Sequence, residues 1–201
     1  MEMFIDNEDH FNYLAKCLDD KPKHILFSSY GLYAGITYDD RDTNEFGEKY
    51  TTRTMQIMKK MQKLTDTDIR FLVGVTSYRS CKGKTPCIDC EKQYARGLLR
   101  VINHVSRFPE FNWRITTEHH LKAYLFFYDD EIKGVGGGRN FTNSNWADAS
   151  FELSKTQIKQ LYKHVQIEWD KGIEATNSTI GTILKEQGVS PDGLKAVTLG
   201  Y

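Results

Sequence analysis

Residues 118–154 read EHHLKAYLFFYDDEIKGVGGGRNFTNSNWADASFELS. His120 and Lys122 stand two apart, so on a strand both side chains leave the same face. The apolar and aromatic run 123–128 predicts that strand. The acidic tip Asp129-Asp130-Glu131 predicts a hairpin turn, and residues 132–135 a returning strand that ends in Gly136-Gly137-Gly138. Glycines there let the backbone approach a neighbour or ligand closely. Asn140, Thr142 and Ser144 follow, and Glu152 sits in a second short apolar segment.

A histidine, a lysine and an asparagine brought together by a hairpin make a phosphate site. Lys122 and Asn140 hold non-bridging oxygens, and His120 attacks phosphorus or moves a proton. An isolated HxK occurs constantly by chance, and its ordinary meaning is a His and a Lys on a half-buried strand. The downstream GGRNFT and the acid beyond it shift the balance towards a site.

His120-Leu121-Lys122, then Gly137-Gly138-Arg139-Asn140-Phe141-Thr142, then Asp148 and Glu152 resemble the HxK…GSxN…E pattern of the phospholipase D superfamily. The nearest variety is its single-motif nuclease branch. The sequence departs from the pattern twice. The family's Asp, five residues after the Lys, falls on Phe127, and its Ser after the first Gly is Gly138. The resemblance implies an α/β fold with a mixed, mostly parallel sheet flanked by helices, phospholipase D-like. It also implies catalysis by His120, Lys122, Asn140 and Glu152, with Glu152 hydrogen-bonded to His120 and Asp148 second in line for that role. Thr142 and Ser144 supply hydroxyl donors to substrate. Ser28, in a strand and loop of the kind that opens such domains, would line the pocket or simply be a satisfied strand end.

The chain has 201 residues, 39% hydrophobic and 27% charged, ordinary for a globular domain. It contains no run of about eighteen apolar residues, so no membrane span is expected. The start MEMFIDNEDHF is acidic and unlike a signal peptide. A cytoplasmic protein with reduced cysteines is therefore expected. Net charge is zero, with 27 basic and 27 acidic residues, but unevenly spread. Residues 53–122 hold 14 Lys or Arg against 6 Asp or Glu, which leaves 13 against 21 elsewhere. That asymmetry predicts either a basic face for a phosphate backbone or charges scattered over solvated helices.

The remaining elements follow from periodicity. Residues 8–20 predict a short amphipathic helix, 24–30 a buried strand, 51–64 a helix with Met55, Ile57, Met58 and Met61 inward, and 69–76 a strand. A helix over 91–106, a strand over 111–116 and a long helix over 155–172 complete a domain of residues 1–172. Residues 173–201 form a C-terminal extension with a helix near 179–187. Cys81, Cys87 and Cys90 are spaced C-x5-C-x2-C, with His104 fourteen residues on. The cluster reads as a structural zinc site, a redox pair or a helix-end coincidence. Lys82 and Lys84 in the same loop are candidates for backbone contact with nucleic acid.

The resemblance also implies a mechanism. One histidine attacks phosphorus and another protonates the leaving oxygen, with no metal required. A chain with a single HxK supplies two histidines only by pairing two copies about a two-fold axis. A homodimeric phosphodiesterase acting on nucleic acid is expected. The alternatives are a catalytically degenerate binding or interaction module, suggested by Phe127 and Gly138, and a lipid phosphodiesterase. The chain has neither an amphipathic membrane segment nor a lipid-anchoring motif.

Overall fold

A computed structural model describes residues 3–4, 7–30, 32–33, 53–75, 88–116, 119–138, 141–142 and 149–186. In chain order the elements are β1 (Met3–Phe4), α1 (Asn7–Asp19), β2 (His24–Tyr30), β3 (Leu32–Tyr33), α2 (Arg53–Gln62) and β4 (Asp68–Gly74). They continue with α3 (Ile88–Arg107), β5 (Asn112–Thr116), β6 (Ala123–Phe127), β7 (Ile132–Gly137) and β8 (Phe141–Thr142). The chain then adds β9 (Ser150–Glu152), α4 (Lys155–Lys171), β10 (Ile173–Glu174) and α5 (Asn177–Glu186).

Eight strands form one sheet in the order β1-β9-β7-β6-β2-β4-β5-β10, and β3 pairs with β8 in a small second sheet. The sheet is mixed and flanked by helices on both faces, as the sequence implied. Its parallel content was overestimated. Only β2–β4 and β4–β5 run parallel, and the other five pairings of the large sheet are antiparallel. The reason is local: a short acidic tip joins β6 to β7 as a hairpin, and β7, β9 and β1 extend that antiparallel half.

Side chains alternate across the sheet and divide the core into two. Phe27, Phe71, Trp113, Tyr124 and Val135 point to one face, where α1, α2, α3 and α5 cover them. Leu26, Leu72, Ala123 and Leu125 point to the other, against Ile158, Val165 and Trp169 of α4. Buried on both faces, β2 loses the polar alternation of an edge strand and reads as a continuous apolar run. Helix α4 starts at a capping box, in which Gln157 N–H donates to Ser154 Oγ and Ser154 N–H donates to Gln157 Oε1.

The C-terminal segment is more integral than an appendage as far as Glu186. Strand β10 adds to the edge of β5, and α5 buries Ile180 and Leu184 in the larger core. The hydroxyl of Thr176 accepts the N–H of Thr179 and caps the start of α5.

Candidate active site

One end of the sheet collects His120, Lys122 and Gly137 of the sequence motif. The carboxyl ends of β2 and β4 lie there, at Tyr30 and Gly74. Because β6 runs antiparallel to β2, its first residue Ala123 sits opposite Ser28. Residues 119–122, which lead into β6, therefore fall at the same end, as do Gly136 and Gly137 of β7 and Ser150 of β9. Crevices at the carboxyl ends of parallel strands are where α/β sheets bind ligands.

His120 and Lys122 precede the strand instead of belonging to it, since β6 begins at Ala123. The side chains meet all the same. Lys122 Nζ donates to His120 Nδ1 at 2.9 Å. The His120 imidazole stacks on the Tyr30 ring, with centroids 3.8 Å apart and planes inclined by 29°. Lys122 Nζ lies 5.7 Å from the centroid of the same ring. His120 is exposed and Lys122 is buried. Partial burial, and then the neighbouring Lys122 ammonium, hold the imidazole below its ordinary pKa. The neutral form, which keeps a lone pair, is thereby favoured over the charged one.

The backbone beneath this pair is held from three sides. Gly137 N–H donates to the Lys122 carbonyl at 3.3 Å. Ser28 Oγ hydrogen-bonds the Nε2 edge of His119 and donates to the Leu121 carbonyl at 3.0 Å. Gly74 gives room for the chain to pass: a Cβ there would run into the His119 carbonyl oxygen and come within 2.9 Å of the Tyr30 ring. Gly137 combines a φ of +147° with a carbonyl, that of Ala149, 2.6 Å from where its Cβ would be. No other residue suits that position.

Ser28 is corrected from a pocket-lining residue to a structural one. It is wholly buried, and its hydroxyl is occupied with His119 and Leu121. His119, which sequence reasoning passed over, is buried as well, and burial depresses its pKa. The HH dipeptide was the available signal: neighbouring residues at a strand entrance point to opposite faces, so only one of the two could face the site.

Glu152 does not bond to His120. Its Oε1 accepts from Tyr13 OH on α1 at 3.0 Å. The register explains the separation. Glu152 lies opposite Val135, whereas Ser150 lies opposite Gly137 at the motif end. Ser150 is buried and bonded to His10 Nδ1 at 2.9 Å.

Phe127 has a plain explanation. It packs against His24 and Tyr162, with centroids 4.9 and 5.1 Å apart, at the opposite end of β6. Five residues of strand put it roughly 16 Å from Lys122. An Asp at that position would not touch a phosphate held at His120, so its absence leaves the local chemistry intact.

Asn140, Ser144, Asp148, Lys82, Lys84, Cys81 and Cys87 lie outside the described residues, as does the side chain of Thr142. Phe141, which follows Asn140, is anchored: its N–H donates to Ser29 Oγ at 2.8 Å and its ring is buried among Phe11, Phe27 and Phe71. The side chain of Cys90 also lies outside the described residues, and His104 follows it fourteen residues on in the chain. Both belong to α3, where fourteen residues span about 21 Å. His104 is buried against Trp113. Among the described residues no group of His, Cys, Asp and Glu is placed to hold a metal ion. Three basic residues of the 53–122 surplus are paired with acids, Arg53 with Glu8, Lys60 with Asp19 and Arg70 with Asp68. Those three therefore add little to a basic face. Among the described residues no helix is long and apolar enough to cross a membrane.

Neither a family model nor a curated protein sequence matches this chain. Solved structures do. NucT from Helicobacter pylori superposes with a TM-score of 0.53 at 11% identity, over 86% of this chain and 97% of that one. That likeness shows a phospholipase D-like fold. TrmBL2, an archaeal chromatin protein, matches 87% of this chain and 53% of its own at 12% identity, TM-score 0.46. Polyphosphate kinase from Porphyromonas gingivalis matches 93% and 28% at 9% identity, TM-score 0.48.

Proposed function

We propose that this protein is a metal-independent phosphodiesterase that cleaves nucleic-acid phosphodiester bonds through a phosphohistidine, in a site shared by two copies of the chain. The observation that carries the reading is His120 itself. It is exposed, held below its ordinary pKa, in contact with Lys122 and Tyr30, and set at the carboxyl ends of β2 and β4 in a phospholipase D-like fold. NucT, a nuclease of that fold, supports the choice of substrate class.

In the proposed reaction a ring nitrogen of one His120 attacks phosphorus and forms a P–N bond. His120 of the partner subunit, which enters the reaction in its charged imidazolium form, gives a proton to the leaving oxygen as the P–O bond breaks and is left neutral. Water, deprotonated by that second imidazole, then displaces the first histidine and regenerates both. Lys122 neutralises charge on the five-coordinate phosphorus, and Asn140 donates to a non-bridging oxygen. Thr142 and Ser144 add hydroxyl donors, and Lys82 and Lys84 contact the nucleic-acid backbone.

The test is hydrolysis of labelled DNA and RNA in excess EDTA by the wild type and His120→Ala. Turnover should persist in EDTA and vanish in the variant. Mixed dimers of the two chains address sharing: activity should fall with the square of the wild-type fraction, and a linear fall would mean that each chain works alone. Nucleic-acid binding without cleavage would replace the enzyme with a binding module. Cleavage confined to liposomal phospholipid would replace it with a lipid phosphodiesterase.

A further inference from the structure

A nucleophilic imidazole needs its ring plane and its protonated nitrogen defined before substrate arrives. The usual device is an acceptor, such as a carboxylate, on the nitrogen that does not react. Here no acidic side chain among the described residues is placed for that task, and the one acceptor near the ring is the residue's own backbone carbonyl, which favours the charged form. Glu152 is engaged with Tyr13, and the group facing Nδ1 is a donor, the Lys122 ammonium.

We infer that Tyr30 is the positioning residue for His120, orienting the imidazole by ring stacking in place of an acidic side chain; this rests on the phosphodiesterase reading above. Three observations converge. The stack is close, at 3.8 Å between centroids and 29° between planes. One edge of the Tyr30 ring closes on Gly74, where an added Cβ would come within 2.9 Å of Cδ2. The backbone of residues 119–122 is tied to the same strand through Ser28. Platform and imidazole therefore share one rigid support, the carboxyl end of β2.

Stacking has an advantage over a hydrogen bond here. The two-histidine reaction takes each imidazole through neutral and charged states. A ring face holds a neutral imidazole by dispersion and a charged one by cation–π attraction. The Lys122 contact suits only the neutral ring. An ammonium can only donate, so Nδ1 accepts and the neutral proton resides on Nε2. A phosphate that draws Lys122 away would release Nδ1, and Tyr30 would keep the ring in place while the proton is redistributed.

The experiment compares Tyr30→Phe, Tyr30→Trp and Tyr30→Leu with the wild type. The first readout is independent of catalysis: the His120 ring protons in NMR spectra at pH 8. They should show an upfield ring-current shift in wild type, Phe and Trp chains and lose it in the Leu chain, with the other histidine signals unmoved. The second is steady-state cleavage. Tyr30→Leu should lower kcat roughly ten- to a hundred-fold with KM within about two-fold, the scale expected of a misplaced reacting group, and Tyr30→Phe should restore most of kcat. An unshifted wild-type resonance would overturn the stack. A Leu variant with normal kcat, or a loss confined to KM, would overturn the positioning role. Ring-current shifts as expected with no cleavage by the wild type would retain the stack and remove the phosphodiesterase reading, so the two failures are distinguishable.

Discussion

Gly74→Ala should damage the site more than its single methyl group suggests. Position 74 ends β4, between Tyr30 of β2 and Thr116 of β5. The added carbon would overlap the His119 carbonyl oxygen and lie 2.9 Å from Tyr30 Cδ2. Restoring van der Waals distance needs the carbonyl to retreat by roughly 1 Å. That atom is backbone, one peptide away from His120, and its segment is tied down by Ser28 and Gly137. It cannot rotate aside as a side chain would. Overpacking of this kind costs about 1–3 kcal/mol, which in a chain of this size lowers Tm by roughly 2–12 °C. The rate should suffer further, since a shift of about 1 Å at a reacting group costs on the order of a hundred-fold. Gly97→Ala is the matched control. Its Cβ would meet only the Val75 side chain, at 3.6 Å, and it sits inside α3, where Ala gains up to about 1 kcal/mol over Gly. Differential scanning fluorimetry with the nuclease assay reads both quantities. If Gly74→Ala melts within about 1 °C of wild type and cleaves normally, the close approach of residue 119 does not exist, and the argument for how His120 is placed collapses.

Phe127→Asp, which writes the family's acid into this chain, should not raise cleavage and should cost about 2 kcal/mol through lost packing on His24 and Tyr162; a gain in kcat would show that position 127 reaches the site. Glu152→Gln keeps an acceptor for Tyr13 and should leave kcat within about two-fold, against the orders of magnitude expected had the acid oriented His120; a pH–rate profile separates the two. Stability should decline as pH falls below about 6.5. Burial holds His24 and His119 below their ordinary values, for His24 despite the opposing pull of Asp68. The unfolded chain therefore takes up protons first, so the stability that is full above the unfolded value drains away as pH passes through the folded ones. Urea melts from pH 8 to 5 should show this loss, and His119→Gln should flatten the slope.

Local pattern was enough for most of the elements. Phe11, Leu14 and Leu18 at helical spacing mark α1, the unbroken apolar run marks β2, and the acidic tip marks the β6–β7 hairpin. These signals are carried by residues within one or two turns or pleats of each other, so a single sequence contains them. The contact of Lys122 with His120 joins residues only two apart in the chain, within reach of a local reading. What depended on register was out of reach. Whether β9 brings Ser150 or Glu152 to the motif end is a choice between two positions on the same face of a strand, and apolar pattern cannot distinguish them. The close approach of residue 119 to Gly74, the stack of His120 on Tyr30 and the engagement of Ser28 each join segments of 45 to 91 residues' separation. Only the tertiary structure decides such contacts. They depend on how strands slide and order in a sheet, a long-range balance of packing and hydrogen bonding that no local window of sequence encodes.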